Sequence, residues 1–224
     1  MSISVKICGI TGEEALEAAI GAGADYAGFV FFERSPRNVT LERAAKLAGR
    51  AKSRIATVAL TVNASDAAIE AIVAAMHPDF LQLHGNESVE RVKHLPLLAK
   101  IPVMKAIRVA APEDIAAARE YEAAADILLF DAAVSAPGAL PGGNGVSFDW
   151  RWLPEASLRP DFMLSGGLNS GNVLEALRAS GALAVDVSSG VETAPGVKSP
   201  ELIQEFIATA KSFKPAAPAK TAAK

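Results

Sequence analysis

Two side chains in this sequence are suited to moving protons, and each stands at the end of a short apolar run. Cys8, the only cysteine of the chain, closes Val5-Lys6-Ile7-Cys8, and Asp131 closes Ile127-Leu128-Leu129-Phe130-Asp131. A thiol has a reference pKa of about 8.5, so a modest downward shift makes it a proton acceptor near neutrality. A carboxyl group shielded from water can keep its proton and act as an acid. Each also has a plain explanation: a lone cysteine behaves as a small buried hydrophobe, and an aspartate after a strand commonly caps the following turn. Acid and base at opposite sides of one small mouth would suit an isomerisation. A second signal is glycine-rich. Leu164-Ser165-Gly166-Gly167-Leu168 and Ser188-Ser189-Gly190-Val191 each follow an apolar run. Glycines there expose backbone N–H groups, and a short helix beginning near Gly190 would add its positive end. Those are the parts of a phosphate cradle, with Gly166, Gly167, Ser188, Ser189 and Gly190 as the candidate ligands.

For these residues to meet, the elements carrying them must share one end. Apolar runs begin near Val5, Tyr26, Ile55, Phe80, Val103, Asp126, Phe162 and Ala184, at intervals long enough for a strand, a helix and two loops. Eight such units without consecutive hairpins predict parallel strands with crossover helices, closing as a single-domain (β/α)8 TIM barrel. A doubly wound open sheet is the alternative, but it usually has fewer strands and a Gly-rich turn after the first. Here the first strand runs into Cys8-Gly9-Ile10-Thr11. Strand alternation assigns faces. Val5, Ile7, Leu128, Phe130, Val185 and Val187 suit the helix side. Lys6, Cys8, Ile127, Leu129, Asp131, Asp186 and Ser188 then point into the barrel, where Lys6 has a ready partner in a carboxylate such as Asp186.

Helix starts are marked at Thr11-Gly12-Glu13-Glu14, Thr40, Ser65-Asp66 and Pro112-Glu113-Asp114, and the last helix is expected from near Pro200 to near Lys211. The barrel domain is assigned to residues 1–213. Residues 214–224 form a Lys/Pro/Ala tail expected to be disordered. A long glycine-rich stretch from Ala132 to Ser147 reads as a lid over the active face rather than as a tolerated insertion.

Bulk properties narrow the function classes. The 224 residues are half hydrophobic and 6% aromatic, with a formal net charge of −3. That suits an aliphatic α/β core and gives no electrostatic reason to expect nucleic-acid binding. No apolar run is long enough to span a bilayer, and the N-terminus has no signal-peptide h-region. One cysteine excludes an internal disulfide. The reading is a cytoplasmic protein acting on a small molecule, as a monomer or homodimer.

Along nearly its whole length, the tail excepted, the sequence resembles the phosphoribosylanthranilate isomerase family. The segments that carry the resemblance are Val5 to Thr11, Gly23 to Phe31 with Ser35-Pro36-Arg37, and Leu81-Gln82-Leu83-His84-Gly85. They continue with Leu129-Phe130-Asp131, Gly143-Asn144-Gly145, Phe148-Asp149-Trp150, Leu164 to Leu168, Asn172-Val173 and Val185 to Glu192. The resemblance implies a (β/α)8 barrel that performs an Amadori rearrangement in tryptophan biosynthesis, with no metal and no organic cofactor. It implies Cys8 as general base and Asp131 as general acid. Arg37 matches the position facing the anthranilate carboxylate, and Gly143 and Gly145 fall among the substrate contacts. His84 is open between substrate contact and structural role, and Asp186 between orienting Lys6 and meeting a substrate hydroxyl. Asn144 and Val146 depart from the family's usual Thr and Lys, as does Ala59-Leu60-Thr61-Val62-Asn63 from its usual Gly-Val-Phe-Val-Asn. A related phosphate-binding barrel, such as a thiamine-phosphate synthase-like transferase or indole-glycerol-phosphate synthase, and a non-catalytic phosphosugar-binding barrel are the competing readings.

Overall fold

The computed structural model describes residues 2–133, 145, 147–156, 158–159 and 161–215. Eight parallel strands close a barrel in sequence order: β1 (Ser4–Cys8), β2 (Tyr26–Phe31), β3 (Ala56–Thr61), β4 (Phe80–Leu83), β5 (Val103–Val109), β6 (Ile127–Ala132), β7 (Met163–Leu164) and β8 (Ala184–Val187). β8 pairs back onto β1 with Lys6 opposite Asp186, and Cys8 lies opposite Gly28 on β2. Each strand begins within a residue of the start that its apolar run predicts.

The expected alternation holds. Val5, Ile7, Leu128, Phe130, Val185 and Val187 are buried in the layer between strands and helices. Inside the barrel, Ala106, Leu129 and Met163 form one small apolar cluster, and Cys8, Val30 and Leu60 another. Polar residues at the remaining inward positions are thus held by a rigid, close-packed wall.

Helices follow the strands: α1 (Glu13–Gly21), α2 (Leu41–Ala51), α3 (Asp66–Met76), α4 (Val89–Ala99), α5 (Pro112–Ala117), α6 (Trp152–Glu155), α7 (Val173–Ser180) and α8 (Pro200–Ser212). Thr40 and Ser65 cap α2 and α3 by accepting the backbone N–H groups of Arg43 and Ala68. Ser88 and Ser199 do the same for α4 and α8.

A repeated device locks the end of the barrel where the strands begin. Asp25, Asp79 and Asp126 each immediately precede an even-numbered strand, and each accepts a backbone N–H from the preceding odd strand. Oδ2 takes Val5 N at 2.8 Å, Thr57 N at 2.7 Å and Val103 N at 2.8 Å respectively.

Two expectations need amendment. The short helix expected near Gly190 is a single 3-10 turn, Ser189–Val191. The chain then turns into an antiparallel hairpin, β9 (Glu192–Ala194) and β10 (Val197–Lys198). Its turn residue Gly196 has φ +82°, and a Cβ there would stand 2.5 Å from the Pro36 carbonyl oxygen. Only glycine lets the hairpin lie against the loop after β2. Most of the expected lid, residues 134–144 and 146, lies outside the described residues, as do residues 216–224 of the tail.

Candidate active site

The carboxyl end of β1 presents Lys6 and Cys8 to the barrel interior, both buried. Lys6 Nζ donates to Asp186 Oδ1 at 2.9 Å, and Ser165 Oγ donates to Asp186 Oδ2 at 3.3 Å. Lys6 therefore has the barrel carboxylate that alternation predicted. Burial works against its charge, but Asp186 and Cys8 outweigh it and hold the ammonium above its ordinary pKa. The expected downward shift of the Cys8 thiol is not found. Burial pushes it up, with Asp186 adding to the rise, while Lys6 and Lys198 pull it down without cancelling the desolvation. A thiolate in this barrel depends on those two cations.

Asp131, at the end of β6, is 4% exposed. Its Oδ1 accepts the Ala132 backbone N–H at 3.0 Å, and His84 Nε2 lies 3.1 Å from Oδ2. His84 thus meets the candidate acid, and its Nδ1 lies 2.9 Å from the Gln82 amide nitrogen.

One small cleft is lined by Asp131, Ser165, Gly166, Gly167, Leu168, Asp186, Val187, Ser188 and Ser189. The candidate acid, Asp186 and four of the five candidate phosphate ligands face the same space. Gly190 supports it from behind: a Cβ there would fall 1.8 Å from the Leu168 carbonyl oxygen, so glycine is what allows the two loops to pack together. Gly166 has φ +91°, and its Cβ would stand 2.6 Å from Ala132 N, next to Asp131. Cys8 is not among the lining residues, and its tie to the cleft runs through Lys6 and Asp186.

Arg37 is buried rather than solvated. Its Nε and Nη2 donate to Glu192 Oε1 and Oε2 at 2.7 and 2.8 Å, a bidentate pair. Glu192 Oε1 also accepts Lys198 Nζ at 2.6 Å, and Lys198 donates to the Ser188 carbonyl at 2.9 Å. Arg37, the hairpin and the phosphate-side loop are therefore one hydrogen-bonded unit. Burial tends to raise the Glu192 carboxyl pKa, but the Arg37 and Lys198 cations hold it below the usual range. Lys198 is pulled down by burial. Gly145 is exposed at φ +71°. Gly143, the other loop candidate, lies outside the described residues.

Sequence reasoning gave no role to Gln82, Gly28, Glu192 or Lys198. Gln82 is signalled by alternation, since its neighbours Leu81 and Leu83 face helices. Glu192 and Lys198 are joined by the hairpin, whose pairing no apolar pattern marks. Among the described residues no group of three or more His, Cys, Asp or Glu side chains is placed to hold a metal ion. No described helix is long and apolar enough to cross a membrane.

Comparison with known proteins gives the family. Residues 5–209 match the family described as N-(5'phosphoribosyl)anthranilate (PRA) isomerase. The N-(5'-phosphoribosyl)anthranilate isomerase of Parvibaculum lavamentivorans is 54% identical over 215 residues, covering 94% of this chain and 99% of the relative. That of Rhodopseudomonas palustris (strain ATCC BAA-98 / CGA009) is 50% identical over 212 residues, covering 95% and 100%. The phosphoribosyl anthranilate isomerase crystal structure from Thermotoga maritima superposes with a TM-score of 0.85 at 35% identity, covering 94% of this chain and all of its own. A second crystal structure of such an isomerase, in complex with reduced 1-(o-carboxyphenylamino)-1-deoxyribulose 5-phosphate, gives 0.82 at 33% identity with the same coverage. The chain belongs to the N-(5'-phosphoribosyl)anthranilate isomerase family.

Proposed function

We propose that this chain converts N-(5'-phosphoribosyl)anthranilate to 1-(2-carboxyphenylamino)-1-deoxyribulose 5-phosphate, the isomerisation step of tryptophan biosynthesis, with Cys8 as general base and Asp131 as general acid. The observation that carries the reading is the cleft in which Asp131 and Asp186 face Gly166, Gly167, Ser188 and Ser189. An acid at one wall and a row of glycine and serine donors at the other suit a pentose with a phosphate at its far end. The related isomerase bound to a reduced form of the product supports the same substrate class.

The chemistry is an internal redox exchange of the aldose–ketose type, in which C2 of the sugar is oxidised and C1 reduced. Asp131 gives a proton to the ribose ring oxygen, the C1–O bond breaks, and the anthranilate nitrogen lone pair forms an iminium with C1. Cys8, as thiolate, takes the proton from C2. The C2–H electron pair becomes the C1–C2 double bond of an enolamine, whose tautomerisation adds a proton at C1 and leaves the C2 ketone. The substrate nitrogen is the electron sink, so the route needs no added cofactor. Each proton transfer contributes about 10²–10⁴-fold. Lys6 and Lys198 favour the thiolate against burial, and Arg37 is the donor for the anthranilate carboxylate. The reading places residues 1–213 in one catalytic domain, in the cytoplasm, as a monomer or homodimer.

The test is anthranilate fluorescence after mixing purified protein with freshly generated phosphoribosylanthranilate. A time-dependent change proportional to enzyme concentration is expected. No change with folded protein would favour a barrel that only binds phosphosugars.

A further inference from the structure

The isomerisation reading leaves two side chains behind the acid without a task. Gln82, on β4, and His84, just beyond it, point into the barrel, because Leu81 and Leu83, which alternate with them, pack among the helices. Both are buried. The contacts run in one line: Gln82 Nε2 to His84 Nδ1 at 2.9 Å, then His84 Nε2 to Asp131 Oδ2 at 3.1 Å. An amide NH₂ group only donates, so Nδ1 is the accepting nitrogen. A neutral imidazole carries one N–H, which then sits on Nε2 and points at Asp131.

We propose that Gln82 is a positioning residue for the general acid, holding His84 as the Nε2–H tautomer so that the acid proton of Asp131 faces the cleft. The inference rests on the reading of Asp131 as acid. With Nε2–H donating to Oδ2 and Ala132 N–H donating to Oδ1, each carboxyl oxygen has one lone-pair direction occupied by a protein donor. A proton added to Asp131 must take one of the other directions. In the opposite tautomer, Nε2 would be an acceptor and would bind the carboxyl proton, turning it away from substrate.

The amide orientation decides between these cases. Gln82 Oε1 is buried and has no hydrogen-bond partner among the described residues. Turning the amide over would bring that oxygen against Nδ1 and require a ring proton there. The two ends of one buried amide are thus tied to the two tautomers of His84, and through them to where the Asp131 proton points.

The experiment is ¹⁵N NMR of the full-length protein without substrate, in which only three histidines contribute ring signals. A His84→Gln variant identifies the residue. The expected spectrum at neutral pH has His84 protonated on Nε2 and unprotonated on Nδ1. Gln82→Glu sets a carboxylate against Nδ1 opposite the Asp131 carboxylate, so the ring should take a second proton, on Nδ1, and kcat should fall by about tenfold or more with KM within about twofold. Gln82→Met, which can neither donate nor accept strongly, should leave both tautomers populated with an intermediate kcat. A wild-type His84 protonated on Nδ1 would overturn the proposal. So would a Gln82→Met variant with both tautomers populated and unchanged kcat. If wild-type protein showed the expected tautomer but no turnover, the isomerase reading would fall instead, and with it the role given to the tautomer.

Discussion

The Cys8 sulfur and the Lys6 ammonium share a space that exists because residue 28 is glycine. A Cβ at that position would stand 3.1 Å from Sγ and 3.2 Å from Nζ. Gly28 lies opposite Cys8 in the β1–β2 register, so no loop movement can relieve the crowding. Gly28→Ala is expected to cost about 1–3 kcal/mol of stability, as overpacking in a rigid wall does. It should also lower kcat by displacing the thiol from the cation. Urea unfolding and steady-state kinetics check this, and native values for both would contradict it.

The same neighbourhood predicts opposite pH shifts for two variants. Lys6 lowers the Cys8 pKa and Asp186 raises it, against a larger upward push from burial. Lys6→Met removes a cation, so thiolate should form at higher pH and the rate of iodoacetamide alkylation should rise later. Asp186→Asn removes an anion, so the curve should move to lower pH. Alkylation followed over pH 6–10 (a window spanning the reference thiol value of about 8.5) reads both. Curves that coincide with wild type would remove the electrostatic account.

Glu192 gathers Arg37 and Lys198 where all three side chains are at most 7% exposed. Glu192→Ala removes the carboxylate that two buried cations share, and breaking such a pair costs about 3–5 kcal/mol. With the Arg37–Glu192 pair lost, KM should rise more than kcat falls. The sign with pH follows from the lowered carboxyl value. Its stabilisation is present above the unfolded value of about 4.3, and is lost as pH falls through the lower folded value. Denaturant titrations of wild type and Glu192→Gln at pH 7 and about pH 3 should therefore show a smaller gap at the lower pH. An equal gap at both would contradict the pairing.

The aspartates at the opposite end of the barrel separate stability from catalysis. Asp79 Oδ2 accepts both Thr57 N and Thr57 Oγ1, and Asp126 Oδ2 accepts Val103 N. Asp79→Ala and Asp126→Ala should each lose about 1–3 kcal/mol from unsatisfied strand N–H groups. Neither should change kcat/KM beyond about twofold, since chemistry sits at the other face. A large kinetic effect with intact stability would show that the two ends are coupled.

Much of this was legible in the sequence because two local signals suffice for a barrel. Eight apolar runs at regular spacing predict the strands, and alternation puts Lys6, Cys8, Asp131 and Asp186 inside, where the structure has them. The candidate phosphate loops were visible as glycines after the seventh and eighth strands, and the structure brings four of the five candidates into one cleft with Asp131. What could not be read was pairing between loops outside the strands. Arg37 and Glu192 are 155 residues apart, and nothing in either neighbourhood announces the other. The Cys8 shift was misjudged because a thiol's pKa depends on the balance of burial against Lys6, Lys198 and Asp186, which only coordinates display. The hairpin escaped because its strands are three and two residues long, too short for any apolar period.

The most direct measurement is steady-state turnover of phosphoribosylanthranilate by Cys8→Ala and Asp131→Asn, with folding verified by circular dichroism. Each substitution removes one proposed proton carrier and leaves the candidate phosphate loops intact, so kcat should fall by about 10³-fold or more while KM changes little. Near-native turnover by folded Cys8→Ala would contradict the assignment of the thiol as base.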